Sequence, residues 1–132
     1  MKRLERAIGV RGRRARRMSR SFRDIKIPTQ AGNEVFDNVT LPRWTTPAQR
    51  TCPGYDKLSP HAKGSLTSLV FNRGPSMKGS RRREMRRVRD AVKKGNMKAA
   101  SKAITDMKRL WRGKGLRGLL RRRDAEAALI LR

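Results

Sequence analysis

The stretch that decides the fold is RRREMRRVRDAVKKGNMKAASKAITDMKRLW, residues 81–111. Its first half places Met85, Val88, Ala91 and Val92 on one helical face, with arginines around the rest. Gly95 then supplies a helix stop, and Asn96 supplies the next helix cap. The second half repeats apolar residues every three or four positions: Met97, Ala100, Ile104, Met107 and Trp111. Two amphipathic helices separated by so short a break predict an antiparallel helical hairpin.

The flanking sequence adds two more helices. A third, C-terminal helix is predicted from about Leu116 to Leu131, with an apolar stripe interrupted by arginines 121–123. Upstream, Ser59-Pro60 is typical of a helix start, and Gly74-Pro75 is typical of a helix end. The sequence therefore predicts a mainly α fold: a small helical hairpin plus a third C-terminal helix, preceded by a long extended arm and an irregular connector.

The connector prediction depends on proline. Four prolines interrupt the region before the first of these helices, and each disfavours both helix interiors and sheet ladders: Pro28, Pro42, Pro47 and Pro53. We expect an extended, irregular segment there, with a short hairpin around Ala31-Gly32-Asn33 as an alternative. Trp44 in this segment either stacks on an exposed base or anchors the connector on protein.

Charge is the most unusual property of the chain. Its 132 residues include 36 Lys or Arg and 10 Asp or Glu, which gives a formal net charge of +26. Self-repulsion on this scale opposes a compact state unless a partner supplies negative charge. Counting by segment gives +9 over residues 1–23, +1 over 24–72, +17 over 73–123 and −1 over 124–132. Nucleic acid is the densest common source of negative charge, so RNA is the predicted partner.

This distribution divides the chain into four predicted segments. They are a basic N-terminal arm that is also targeting-like (1–23), an extended proline-rich connector (24–58), a short helix and linker (59–79), and a basic helical body with an apolar C-terminal tail (80–132). Arginines at i and i+4 in the body repel one another unless phosphates lie against them. The predicted RNA-binding side chains are Arg11, Arg13, Arg14, Arg16, Arg17, Arg20, Arg43, Trp44, Arg81, Arg82, Arg83, Arg86, Arg87, Lys93, Lys94, Arg121, Arg122 and Arg123.

Two resemblances extend this interpretation. The segment AVKKGNMKAASKAITDMKRL, residues 91–110, resembles one pentatricopeptide or tetratricopeptide repeat hairpin. The chain as a whole resembles mitochondrial ribosomal proteins as a class. That resemblance implies a structural, non-enzymatic subunit in the mitochondrial matrix that binds ribosomal RNA and is not a free monomer. Its protein neighbours would contact Met97, Ile104, Trp111 and the tail Ala127–Leu131. A chloroplast or cytosolic ribonucleoprotein stays open as an alternative location.

Other functions are weighed against this one. A DNA-compacting, chromatin-like protein would share the charge, and membrane docking is disfavoured because the N-terminal apolar face is small. No cofactor or metal is expected, since His61 and Cys52 alone cannot complete a zinc site. The loop 74–80 has the glycine spacing of a phosphate-binding loop, but Ser80 stands where lysine should be. Glu34 with Asp37, and Asp124 with Glu126, are the only close acidic pairs, and the second pair is expected to bind neighbouring arginines or a protein partner.

Overall fold

The computed structural model describes residues 2–132, and across that range it is helical without any strand. The prediction of a mainly α protein is confirmed. The α-helices are α1 Lys2–Glu5, α2 Gly12–Met18, α3 Thr29–Val35, α4 Leu41–Thr51, α5 Pro60–Arg73, α6 Arg83–Lys93, α7 Met97–Asp106 and α8 Arg117–Leu129. Short 3-10 turns cover Ser19–Phe22, Tyr55–Lys57, Ser80–Arg82 and Met107–Leu110, and Phe36–Thr40 form a π-helical turn. Of the helices described, none is long and apolar enough to cross a membrane.

The chain divides into two compact units, with the boundary between Phe36 and Asp37. The N-terminal unit contains α1 to α3, and none of these helices buries a residue. Its one long-range ion pair joins Arg3 to Asp24, with Nη1 2.7 Å from Oδ2. Arg3 also donates to the backbone oxygen of Ser21. The predicted arm is therefore helical over α2 rather than extended.

The prediction of an extended connector is wrong, because its prolines lie mostly where helices tolerate them. Pro28 is the residue before α3, and Pro42 lies in the first turn of α4, directly after the π-helical turn Phe36–Thr40. Pro53 follows the end of α4. Only Pro47 lies inside a helix. The short hairpin around 31–33 is also wrong, since these residues belong to α3.

The C-terminal unit, Asp37–Arg132, contains the core. Helix α6 packs on α7, α7 packs on α8, and α5 packs on both α4 and α8. The large apolar side chains that are fully buried come from these helices, from the turn after α7 and from the residue after α8: Leu66, Leu69, Val70, Met85, Val88, Ile104, Met107 and Ile130. This core includes most of the apolar stripes that the sequence predicts for α6, α7 and α8.

Local capping explains where three of the helices begin or end. Ser59 accepts a hydrogen bond from the backbone N–H of Ala62 at 3.1 Å, as its position before proline predicts. Gly95 has φ +68° and ends α6, and Asn96 accepts from the N–H of Ala99 at 2.9 Å to begin α7. Ser80 begins the 3-10 turn before α6 and makes no side-chain cap.

The core predicts a strong contrast between two apolar truncations. Ile104→Ala should lower the free energy of unfolding by ~2–5 kcal/mol, because its fully buried side chain leaves a cavity. Leu131→Ala should change it by less than ~0.5 kcal/mol, because that side chain is 54% exposed. Urea denaturation of both variants measures the difference, and equal losses would contradict this placement of the core.

Candidate functional site

Helix α8 places a buried ion pair inside the C-terminal unit. Arg123 has no exposed surface and Glu126 is 3% exposed. Residues three apart lie on the same face of a helix, so the two side chains meet. The Nη2 atom of Arg123 lies 2.9 Å from both carboxylate oxygens of Glu126 and donates to Oε1. The expectation that Glu126 answers neighbouring arginines is confirmed.

Helix α5 contributes two hydroxyl groups that bind Glu126, one at its carboxylate and one at its backbone oxygen. Ser68 Oγ donates to Oε1 of Glu126 at 2.6 Å, and Ser65 Oγ donates to the Glu126 backbone oxygen at 2.8 Å. Arg122 lies above Ser68 and donates to both the Ser68 hydroxyl and Oε1 of Glu126. Glu126 is therefore the point at which α5 and α8 are joined by polar contacts.

Trp111 contacts two guanidinium groups, one of which belongs to Arg123. The Cζ atom of Arg73 is 5.2 Å from the centre of a Trp111 ring, and that of Arg123 is 5.6 Å away. Guanidinium groups are attracted to the electron-rich face of an indole ring, which offsets part of their mutual repulsion. Burial, together with the nearby charges of Arg82, Arg123 and Arg81, lowers the pKa of Arg73 to about 10.

The electrostatics of Glu126 differ from those of the other affected carboxyl groups. Burial raises the pKa of Glu126 above its ordinary value, although Arg123, Ser68 and Arg122 act in the opposite direction. Its Oε2 atom is buried and accepts no hydrogen bond within residues 2–132. A carboxyl group in this setting holds its proton to a higher pH than an exposed one.

Glu84, the second buried glutamate, has the opposite behaviour. Burial alone would raise the pKa of Glu84, but hydrogen bonds from Arg109, from the backbone and from Arg83 hold it below its ordinary value. Arg109 donates to both carboxylate oxygens, at 2.6 and 3.1 Å. Asp106 is held by Arg87 at 2.8 Å, and that hydrogen bond lowers the pKa of its carboxyl group. These two carboxylates stay ionised in the folded chain.

An aromatic surface lies beside Glu126. Phe71, which is 47% exposed, meets Trp44 edge to face with ring centres 5.3 Å apart. The guanidinium of Arg122 lies 5.5 Å from the Phe71 ring centre. Arg122 thus links the exposed aromatic surface to the buried carboxylate. The Trp44 contact agrees with the second of its two predicted roles, an anchor on protein.

The predicted RNA-binding side chains are scattered over the molecule. Those of the N-terminal unit lie on its surface, where four of them line one shallow cavity: Arg13, Arg16, Arg17 and Arg20. In the C-terminal unit, Arg86 and Arg87 are engaged by internal acceptors, and Arg123 is fully buried. Contact of the remaining side chains with RNA stays a prediction that the geometry does not test. Sequence reasoning missed Arg73, Ser68 and Glu84, since only the helix packing brings them to their partners.

The predicted protein-contact residues are placed differently from expectation. Ile104, Trp111, Ala127 and Ile130 are buried in the core, where they pack against helices of the same chain. Most of the stripe predicted to face neighbouring proteins is therefore an internal surface, although Met97 is half-buried and Leu131 is exposed. Cys52 is also buried, which raises the pKa of its thiol to about 11 and keeps it unreactive at neutral pH. Residues 2–132 include no group of three potential metal ligands.

Comparison with known families identifies one relationship. The family model described as phage lysozyme matches residues 13–126. Comparison with curated proteins and with solved structures returns no match.

The family match overturns the functional predictions made from charge and resemblance. The chain is not matched to a ribosomal or repeat-protein family, and the matching family consists of glycosidases. The predictions of a non-enzymatic ribosomal subunit, of ribosomal RNA and ribosomal proteins as partners, and of a mitochondrial location are therefore wrong. The chromatin-like alternative is unsupported as well. A high positive charge is common to many proteins that act on anionic polymers, so charge alone could not distinguish them.

The buried pair predicts a large coupling energy in a double-mutant cycle. Arg123→Met and Glu126→Leu should each lower the free energy of unfolding by ~3–5 kcal/mol, because each leaves an uncompensated buried charge. The double variant should lose much less than the sum of the two. The exposed pair of Lys108 and Asp124, with atoms 2.7 Å apart, is the control and should couple by under ~1 kcal/mol. Equal coupling in the two cycles would exclude a central role for the buried pair.

Glu84 predicts a specific dependence of stability on pH. Its folded-state pKa is lowered, so its contribution is present above the ordinary glutamate pKa of ~4.3 and is lost as pH falls through the folded value. Glu84→Gln should cost ~1–3 kcal/mol at pH 7, toward the low end because Arg109 is partly exposed. The difference from the parent should shrink as pH falls toward ~2, as measured by urea denaturation at each pH. A difference that stays constant with pH would refute the assignment.

Proposed function

Because the chain belongs to the phage lysozyme family, we propose that it is a glycoside hydrolase that cleaves peptidoglycan. The observation that carries the proposal is the match over residues 13–126, which includes most of the chain and most of its helical core. Family members are muramidases, so the bond attacked is a glycosidic bond of the glycan strand.

Glycoside hydrolysis needs a carboxyl group that is protonated at the pH at which the enzyme works. That group donates a proton to the leaving oxygen, and its pKa must therefore be raised by its surroundings. Among residues 2–132, the pKa is lowered from its ordinary value at the carboxyl groups of Asp24, Glu84 and Asp106. It is raised at that of Glu126. We assign the proton-donor role to Glu126 on this difference together with its position, since Arg122 links it to the aromatic surface of Trp44 and Phe71.

The surface beside Glu126 supports substrate binding at this position. Sugar rings pack their apolar faces on aromatic side chains, and Trp44 and Phe71 form such a surface. Glu126 is only 3% exposed, and Arg122 and Ser68 both donate to the Oε1 that would face this surface. Proton transfer therefore requires Arg122 to swing away from Ser68 when the glycan chain binds. Arg122 is 35% exposed, and solvent gives it room to do so.

The net charge of +26 fits this substrate class. The peptide stems of peptidoglycan carry carboxylates, and a strongly cationic protein is drawn to a polyanionic surface by long-range attraction. Attraction to an anionic cell-wall polymer can therefore explain the positive charge that the sequence analysis attributed to RNA binding.

The first test is hydrolysis itself. The purified full-length chain should release new reducing ends from isolated peptidoglycan, at a rate that falls with added salt because screening weakens the attraction. Reducing ends are counted after borohydride labelling, which also shows whether muramic acid or glucosamine carries the new end. A folded chain that releases none between about pH 4 and pH 9 would contradict the proposed function, since that range spans the ordinary pKa values of carboxyl and imidazole groups.

The second test concerns Glu126 alone. Glu126→Gln should reduce the rate of reducing-end release by at least ~100-fold, because a positioned general acid contributes ~10²–10⁴-fold. The variant also weakens the core, so Ser65→Ala is the matched control. Ser65→Ala removes a hydrogen bond to the same residue but keeps the carboxyl group, and it should stay active at temperatures where both variants are folded by circular dichroism. Full activity in Glu126→Gln would move the proton-donor role to another carboxyl group.

A further inference from the structure

A second polar cavity lies at the loop that joins α5 to the turn before α6. Its volume is about 420 Å³. Four cationic and two hydroxyl side chains contribute to its lining: Arg73, Lys78, Arg81, Arg82, Ser76 and Ser80. None of its lining residues is acidic, so this cavity concentrates positive charge without a counter-charge.

The nearest interacting acid is already engaged. Glu84 is the only carboxylate that acts on Arg73, and it is held by Arg109 and Arg83. The Nε atom of Arg73 and the Nη1 atom of Arg82 are shielded from solvent and have no acceptor within residues 2–132. A buried donor without an acceptor is costly, and several like charges around it add to that cost. An anion in this cavity would lower the repulsion among these charges.

The loop is held in a fixed shape before any ligand arrives. Arg86 Nη1 donates to the backbone oxygens of Met77 and Gly79, at 2.6 and 3.0 Å. Arg73 Nη2 donates to the backbone oxygen of Arg81 at 2.8 Å, which ties the end of α5 to the turn Ser80–Arg82. Gly79 has φ +90°, a conformation that favours glycine. These contacts organise the cationic groups around the cavity.

The same loop has the spacing of a phosphate-binding loop in sequence. In residues 74–80, however, Ser80 occupies the position at which a nucleotide-binding loop needs a lysine. In the folded chain the cationic groups come instead from the ends of the two flanking elements, as Arg73, Arg81 and Arg82. Guanidinium groups bind phosphate oxygens through paired hydrogen bonds, which an ammonium group cannot do.

We propose that this cavity is a binding site for a phosphate-type dianion, either free phosphate or the phosphomonoester head of a lipid. Arg82 and Arg81 bind its oxygens from the turn before α6, Arg73 from the end of α5, and Ser76 from the loop. The site is separate from the carboxylate chemistry assigned to Glu126.

Isothermal titration of the full chain with inorganic phosphate tests the site. The titration is done at a constant ionic strength of about 0.1 M, where exposed charges more than ~10 Å apart are largely screened. Arg82→Gln should weaken phosphate binding by at least ~10-fold, because it removes one charge-assisted contact. Ser76→Asp should weaken it as much, because a carboxylate then competes for the same guanidinium groups. Ser76 is exposed, so this variant keeps the fold if Arg82→Gln does not.

Arg121→Gln is the matched control, because Arg121 is an exposed arginine on α8 outside the cavity. It removes the same charge and should change phosphate affinity by less than ~2-fold. Equal weakening by Arg121→Gln and Arg82→Gln would overturn the proposal in favour of diffuse attraction.

A second arm distinguishes the two sources of the dianion. Phosphatidylcholine vesicles that contain phosphatidic acid are compared with vesicles in which phosphatidylglycerol supplies the charge, in a co-sedimentation assay. Preference for phosphatidic acid that Arg82→Gln removes would assign the site to a lipid head, whereas phosphate binding without that preference would assign it to the free ion. Binding of neither probe would overturn the proposal.

Discussion

The structure depends on the contact between Arg123 and Glu126. Taking both charges out of water is unfavourable, and their mutual attraction repays this only when other hydrogen bonds satisfy the remaining polar atoms. Ser68 and Arg122 supply such bonds to the carboxylate, and the Trp111 ring faces the Arg123 guanidinium. Because these groups belong to α5, α8 and the end of the turn after α7, one ion pair fixes how three parts of the core meet.

This pair also explains how a chain of net charge +26 forms a core. Arg73 and Arg123 are both drawn inward, and each lies against the same Trp111 ring. One glutamate, Glu126, compensates Arg123, and another, Glu84, is held by Arg109 and Arg83. The cavity at residues 73–82 receives no such compensation. The buried arginine charge is therefore compensated by nearby glutamates. The excess positive charge lies at surfaces where an anion can reach it.

The wrong prediction of a ribosomal RNA-binding function was also based on this net positive charge. Like-charged arginines at i and i+4 of α6 favour a phosphate-lined partner when the helix is considered alone. In the folded chain Arg86 binds backbone oxygens of the loop before α6, and Arg87 binds Asp106 of α7. Tertiary contacts thus absorb part of the repulsion. The prediction of an extended connector was wrong because it relied on the number of prolines. The destabilisation of a helix by proline depends on where the proline lies in that helix.

The sequence by itself determined the helical class, the starts of α5 and α7, the end of α6 and the apolar stripes that fill the core. These features depend on residues within four positions of one another, so local spacing and capping are sufficient to predict them. Only the tertiary structure decided that Ser68 meets Glu126, that Arg109 meets Glu84 and that Arg73 shares Trp111 with Arg123. Ser68 and Glu126, Arg109 and Glu84, and Arg73 and Trp111 are each separated by 25 or more residues in sequence, so local spacing could not predict these contacts.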